Sequence, residues 1–532
     1  MIDKVSHNGE PRQFHESGAS EVRGNYKTGT YKFEIKEVPM SKQNIYPVTS
    51  QEVLRFFSHN VPLEKLLIVP FDFAKSEHTV HCCRGTGEFL LKHPLRIFNT
   101  VEGADYLEKR IQGLCRKYHI SRSHVLLGGE DPPNYVINFI HYLKDRRFSF
   151  VRVNAHEAKK FRTNNRASPD AIDLNGIAQA ILNRRARDIA QFDEIYTNLK
   201  GASRNRRKLV KQETAIKNQI HKSVDLLFPN FLSERQTGMV PFSSASLHLM
   251  EENFSLIKIK RMKMESLIKG LRRHRSTKAE ETARKLKELA DRVLAPPSDL
   301  IAYTSNSLSS KVKLLKTVRE SIFMEETEMA RFLVQTPGFY LTTIPGIGVV
   351  LAGGIVAEYG NVGNWLPVDN MASYGGIVPR EKQSGGSDKL PVKGHLPLDC
   401  NRILKDWLLQ GAFHVGTTEH PIRKIPGKSG THRLLKHYQH VENRQGKSRL
   451  STAKLLIKVF RRMAVDQRIY LPDEWVNQPA ESDQELFLYL DVINKTLKDK
   501  WKAYDLSGID GERNYYLKWK DYCNDLKQFD SE

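Results

Sequence analysis

The stretch Lys65–Cys83, KLLIVPFDFAKSEHTVHCC, decides the fold. KLLIVPFDF is a short apolar run of the kind that forms a buried strand, and HTVHCC (His78–Cys83) reads as a second strand after the turn-like AKSE. Two such runs at this spacing predict a hairpin. Asp72 sits inside the first run between Phe71 and Phe73, where a bare charge is costly unless it is paired or holds a metal. Working outward, Ala104–Tyr118 has helical spacing, and the apolar strand His124–Leu127 runs into Gly128-Gly129-Glu130. Tyr135–Asp145 is helical, Phe148–Val153 is another strand, and a helix begins at Ala171–Leu182. A strand pair followed by alternating helices and strands predicts an α/β domain with a mixed sheet.

The remaining chain has a different texture. Residues 1–64 are polar and rich in Gly, Ser and Lys, and read as an N-terminal extension to the α/β domain of 65–182. From 183 to 335 Gly and Pro are scarce apart from breaks near Pro229–Pro241 and at Pro296-Pro297, which predicts long basic helices in an antiparallel hairpin. Residues 336–416 are Gly-rich with short helices, and 417–532 form a C-terminal extension, basic to 470 and then acidic and aromatic.

The formal charge of +22 over 532 residues is segregated: 181–222 carry +7, 257–288 carry +8 and 401–470 carry +11, so the rest is net negative. Solubility alone gains nothing from this clustering. Lys and Arg gathered on a few elements are the footprint of a phosphate-backbone partner, the plainer reading being solvated helix faces. Nothing approaches the ~20 apolar residues of a membrane span. The N-terminus MIDKVSHNGE lacks a signal-peptide layout, and five cysteines without a CxxC pair suit a reducing, cytoplasmic setting.

Further carboxylates accompany Asp72. Glu130 ends a strand, where functional side chains of α/β sheets converge, and Asp170 and Asp173 are spaced to share one helix face. Clustered carboxylates repel unless divalent ions neutralise them, and hard oxygen ligands select Mg²⁺ or Mn²⁺. Singly, Asp170 reads better as a helix cap after Pro169 and Glu130 as an ordinary surface loop residue, with Asp131 a rival for its role. Their order along the chain is what sets them apart.

Asp72 in FDFAK, Glu130 with Tyr135 five places on, the exit VNAHEAKKF and Asp170-x-x-Asp173 resemble the N-terminal half of the DEDD-type insertion-sequence transposases. This is the IS one-ten family of bridge-RNA-guided recombinases, which includes the Piv-like enzymes. LTTIPGIGVVLAGGIVAEYG (341–360) and NMASYGGIVPREKQSGG (370–386) resemble that family's C-terminal transposase domain. Pro70-Phe71, Pro132-Pro133 and Ser168-Pro169 replace residues usual in the family, while the carboxylates are retained.

The resemblance implies a RuvC-like, ribonuclease-H-type domain in which Asp72, Glu130, Asp170 and Asp173 bind Mg²⁺. A helical, coiled-coil middle region and a small, mostly helical transposase domain would follow. It implies that Ser384 is the nucleophile that joins DNA, that a noncoding bridge RNA pairs with donor and target DNA, and that several copies assemble in one synaptic complex. The setting would be the nucleoid of a prokaryotic host. Without the resemblance, Ser384 is a serine in a Gly-rich loop.

Other features support the reading. Leu341-x-x-Ile344-Pro345-Gly346-Ile347-Gly348 resembles the hairpin of a helix-hairpin-helix motif, whose glycine amides (Gly346, Gly348) face phosphate; the alternative is a plain turn. Arg204, Arg206, Arg207, Lys208 and Lys211 on a predicted helix would contact nucleic-acid backbone. His432, His437, His440 and Cys400 fit no standard zinc spacing. The leading function is an RNA-guided DNA recombinase. The rivals are a metal-dependent nuclease or junction resolvase and a non-catalytic nucleic-acid-binding protein.

Overall fold

Leu67–Asp72 forms β1 at the centre of a seven-stranded sheet in the first of two units, Met1–Ile189 and Ala190–Glu532. The computed structural model describes residues 51–57, 61–130, 134–162, 170–188, 194–361, 368–378, 381–382, 392–393, 396, 400–445, 448–470 and 483–529. β2 (Glu77–Val80) and β3 (Cys83–Arg84) both run antiparallel to β1, so the expected hairpin is present with its second strand broken at His81-Cys82. The break has a simple cause. The His81 amide donates to the Pro70 carbonyl at 3.2 Å, but Pro70 has no N–H to return the bond.

β4 (Leu95–Phe98), which the sequence pattern did not mark, pairs with β2 at the edge. On the other side β5 (Val125–Glu130) runs parallel to β1, β6 (Ser149–Val153) parallel to β5, and short β7 (Arg187–Asp188) closes the sheet. The order β4-β2-β1-β5-β6, antiparallel then parallel, is the expected ribonuclease-H-type arrangement, with β7 added antiparallel to β6 at the far edge.

The sheet is covered on both faces. On one, Ile68, Leu126 and Val151 pack with Ile177 and Ile181 of α5 (Asp170–Leu182) and with Val53 and Phe56 of the helix Gln51–Phe56, so the end of the N-terminal stretch belongs to this core. On the other, Phe71 and Phe150 pack with Phe139 of the helix Ile137–Asp145. Strand alternation therefore puts Asp72 with Ile68, and Glu130 with Leu126, on the face that carries α5.

The second unit is helical. The helix α6 (Glu194–Leu227) and the long helix Ser298–Leu333 are antiparallel, as the pairs Arg206–Glu326, Arg319–Glu213 and Lys311–Ser223 show. Short helices between residues 234 and 292 close a core with them around Phe228, Phe231, Phe254, Leu286 and Leu315. A second core gathers Phe339, Ile347, Ile355, Trp407 and Phe460 with Trp501 of the helix Asp483–Trp501. Residues far beyond 417 thus share it. Among the described residues no helix is long and apolar enough to cross a membrane.

One buried carboxylate fastens this second core. Glu358, whose side chain is fully buried on the helix Val349–Tyr359, accepts Arg204 of α6 through both oxygens at 2.8 and 3.0 Å. It also accepts Asn401 Nδ2 at 2.7 Å. Asn401 in turn caps the helix Arg402–Thr417, donating through Nδ2 to the Tyr374 hydroxyl and through its backbone N–H to the Tyr374 carbonyl. The stretch 375–400 is thereby closed at its neck, with β8 (Glu381–Lys382) and β9 (Val392–Lys393) paired inside it. Burial pushes the Glu358 carboxyl up, but the hydrogen bonds from Arg204 and Asn401 and the charges of Lys200 and Arg204 hold it below its ordinary 4.5.

Removing one member of a buried ion pair strands the other charge. Glu358→Ala is expected to lower unfolding stability by about 3 kcal/mol at neutral pH, read by urea titration, with Arg204 half in solvent keeping the cost at the low end. Because the folded pKa is depressed, the stabilisation is complete above the unfolded value of 4.5 and fades as pH falls through the folded one. The variant and the wild type should therefore converge in stability in acid.

Candidate active site

Three strand and helix ends bring carboxylates to one end of the α5-bearing face. In the parallel β1–β5 register Phe71 lies opposite Gly129, so Asp72 and Glu130 follow as neighbours on the next residue of each strand. Asp173 comes one turn into α5. That helix approaches the helix Ala155–Lys160 closely at Gly176, where a Cβ would stand 2.7 Å from the Ala158 carbonyl oxygen and 3.0 Å from Arg162 Cγ. Only glycine allows the approach that carries Asp173 to the strand ends.

Arg162, just after that helix, joins two of the acids. Its Nη2 donates to Glu130 Oε1 at 3.0 Å, and its Nε lies 3.1 Å from Asp173 Oδ1 as an ion pair without hydrogen-bond alignment. The Arg162 side chain is four-fifths buried between the two carboxylates. Sequence reasoning missed Arg162, since nothing in VNAHEAKKFR separates it from Lys159 and Lys160. Asp170 begins α5, but its side chain lies outside the described residues, as do Asp131 and Ser384.

The donor set suits a hard divalent cation. Asp72, Glu130 and Asp173 offer carboxylate oxygens from one face and one end of the sheet, which is Mg²⁺ or Mn²⁺ chemistry rather than zinc chemistry. Among the described residues no three such ligands are already gathered around one point, and the positive charge that Glu130 and Asp173 require comes from Arg162. Other nucleophile and metal candidates are absorbed by the fold. Burial pushes the Cys82 and Cys83 thiols up to about 12, which leaves them inert at neutral pH. His432 bonds the Tyr470 hydroxyl and the Thr418 carbonyl, and His437 bonds Ser451.

The basic run on α6 divides by residue type. Arg204 pairs with Glu358, Arg206 with Glu326 and Arg207 with Asp406, whereas Lys208 and Lys211 are exposed. Arg204, Arg207, Lys208 and Lys211 line a cleft of about 740 Å³ together with Arg402 and Lys405 from the start of the helix Arg402–Thr417. Those last two were expected only as part of a basic segment. Cys400 also lines the cleft, so it opens where the 375–400 stretch returns to the core.

Gly346 and Gly348 differ in role. Gly346 has φ +79°, and a Cβ there would stand 2.5 Å from the His414 carbonyl oxygen, so it is required by the turn itself. Gly348, the residue before the helix Val349–Tyr359, faces open space.

Comparison with known families gives two matches. Residues 69–229 match the DEDD transposase model of the IS110 type, described as a transposase, and residues 339–424 match the transposase IS116/IS110/IS902 family. The first match contains Asp72, Glu130, Asp170 and Asp173, and the second contains Ser384. Fold and matches together define a transposase. Both matches are to IS110-type models, one in each half of the chain, and they support a DEDD transposase of that type. No curated protein matches it.

Arg162 gives the site a direct test. In Arg162→Met, Glu130 and Asp173 lose the cation between them, and without divalent metal the protein should lose about 1–2 kcal/mol, the partial exposure of all three groups limiting the loss. Adding MnCl₂ should raise the melting temperature of the variant more than that of the wild type. Equal shifts in the two proteins would show that Arg162 and metal do not share these carboxylates.

Proposed function

We propose that this transposase is an RNA-guided DNA recombinase of a mobile element, in which Ser384 is the nucleophile and Asp72, Glu130, Asp170 and Asp173 hold Mg²⁺. The observation that carries the reading is the convergence of Glu130 and Asp173 on one guanidinium, at the end of the sheet where Asp72 stands beside Glu130. A divalent ion bound there would neutralise charge on a reacting phosphate. In the proposed step Ser384 Oγ forms a bond to phosphorus as the phosphodiester's bond to its leaving sugar oxygen breaks. The proton lost from Oγ is balanced by one gained on that oxygen. Strand exchange reverses the step with a new sugar hydroxyl.

The other parts follow from chemistry already described. The neck at Tyr374 and Asn401 ties both ends of the Ser384-bearing stretch to the core, and the cleft between α6 and the helix Arg402–Thr417 offers Lys208, Lys211, Arg402 and Lys405 to a phosphodiester backbone, Arg204 and Arg207 being held by Glu358 and Asp406. Donor and target DNA and a noncoding bridge RNA are the proposed partners, with homo-oligomers assembling in the synaptic complex.

A trapping assay tests the reading. Protein prepared with the RNA transcribed beside its gene is mixed with donor and target DNA and Mg²⁺, then run on a denaturing gel. A covalent protein–DNA adduct is expected, absent in Ser384→Ala and in Asp72→Asn. Cleaved DNA without an adduct would instead assign a hydrolytic nuclease or junction resolvase. Binding unchanged by Asp72→Asn, with no cleavage by any form, would leave a nucleic-acid-binding protein. Independently, Lys208→Glu with Lys211→Glu should weaken nucleic-acid binding across sequences and reduce the salt slope by about 1 per lysine.

A further inference from the structure

The hairpin LTTIPGIG (341–348) encloses a cation that belongs to the protein itself. The short helix Pro337–Thr343 ends there, and Gly346 turns the chain back before the helix Val349–Tyr359 starts. This reversal brings the backbone carbonyls of Thr342, Ile344 and Ile347 around one point. The Nζ of Lys500, on the helix Asp483–Trp501, donates to all three, at 2.5, 3.3 and 2.7 Å. Beside it Trp501 Nε1 donates to the Thr342 hydroxyl at 3.2 Å.

Two features separate this arrangement from a lysine capping a helix end. First, among the described residues Lys500 has no carboxylate partner, so its charge is met by carbonyl dipoles alone. An ammonium has three N–H donors, and here each has a carbonyl. Second, the acceptors lie two and five residues from the first, wrapped by the turn, where a helix end would offer successive carbonyls of one last turn. Rings of backbone carbonyls are the means by which proteins replace the water around potassium. Magnesium, with its near-octahedral geometry at about 2.1 Å, does not suit three carbonyls at this span.

We propose that Thr342–Ile347 form a monovalent-cation cage of backbone oxygens, which the ammonium of Lys500 fills within the chain and which takes potassium when that side chain is removed. Burial draws the Lys500 pKa down to about 8, so the ammonium remains the main form at neutral pH. The hairpin lies inside the stretch that matches the transposase family, residues 339–424, whereas Lys500 lies well beyond it. The C-terminal segment therefore supplies the family-matched hairpin with a tethered cation in place of one from solution. It also sets the start of the helix Val349–Tyr359 with its open Gly348. The inference stands apart from the nucleophile and metal roles proposed above.

The test is thermal melting of the full chain in KCl, NaCl and choline chloride at matched ionic strength. Wild type should melt at one temperature in all three, because the cage is filled. Lys500→Met should melt lower in choline chloride, by on the order of 5 °C. It should recover in KCl in a saturable manner, as mass action requires for a site binding only the folded state. Lys500→Ala should recover with propylammonium, which restores the missing ammonium. If Lys500→Met is too unstable to melt cooperatively, its refolding yield in KCl against choline chloride is read instead, and a higher yield in KCl is expected. Indifference of both variants to potassium and propylammonium would overturn the proposal. So would a potassium-specific rise in the wild type, since the cage would then be open.

Discussion

A charge taken out of water must be met by another charge or by aligned dipoles, and this constraint organises both units of the protein. Glu358 is fully buried and is met by Arg204 and Asn401. Because those partners come from different elements, the need of one carboxylate fastens α6, the helix Val349–Tyr359 and the neck of the 375–400 stretch together. Lys500 solves the opposite problem with three carbonyls from one turn. In the first unit Glu130 and Asp173 are held beside each other by Arg162. Each arrangement is costly to break from one side, and the cost falls with the share of water that Arg204, Glu130 and Asp173 keep.

The geometry of the carboxylate site descends from strand pairing. A parallel register has no freedom to slip by one residue without turning every side chain to the wrong face, and β1 and β5 are buried on both faces. Asp72 and Glu130 are therefore fixed as neighbours by the apolar residues before them. Pro70 in the central strand is tolerated because its carbonyl still accepts from His81, while the bond it cannot return is lost at the one place where β2 gives way to β3. Asp173 depends on helix packing instead, through the close contact at Gly176.

The cations show why a count of basic residues overstates a binding surface. Arg forks suit carboxylates, and the three arginines of the α6 run each hold one, on Glu358, Glu326 and Asp406. The lysines at 208 and 211 stay exposed. The cleft regains positive charge from Arg402 and Lys405, which lie almost two hundred residues further along the chain. A phosphate backbone would meet a surface composed by packing, not the run visible in the sequence.

Much of the fold and part of the site were legible in the residues. The strands at Lys65–Phe73, His124–Leu127 and Phe148–Val153 announced themselves because buried parallel strands are continuous apolar runs, and the long helices because Gly and Pro are missing from them. The edge strand Leu95–Phe98 did not, since an edge with polar and exposed positions carries no such run. Asp72, Glu130 and Asp173 stood out as candidates because carboxylates at strand ends and at helical spacing are local patterns. Arg162 and Lys500 were not, because a basic residue looks the same in sequence whether it faces water, a pair of carboxylates or a cage of carbonyls. The sequence by itself determined the order of strands and helices and the chemistry of the acidic set, which depend on side-chain type and local period. Tertiary structure alone decided which charges meet, because burial and partnership are properties of elements brought together from distant parts of the chain.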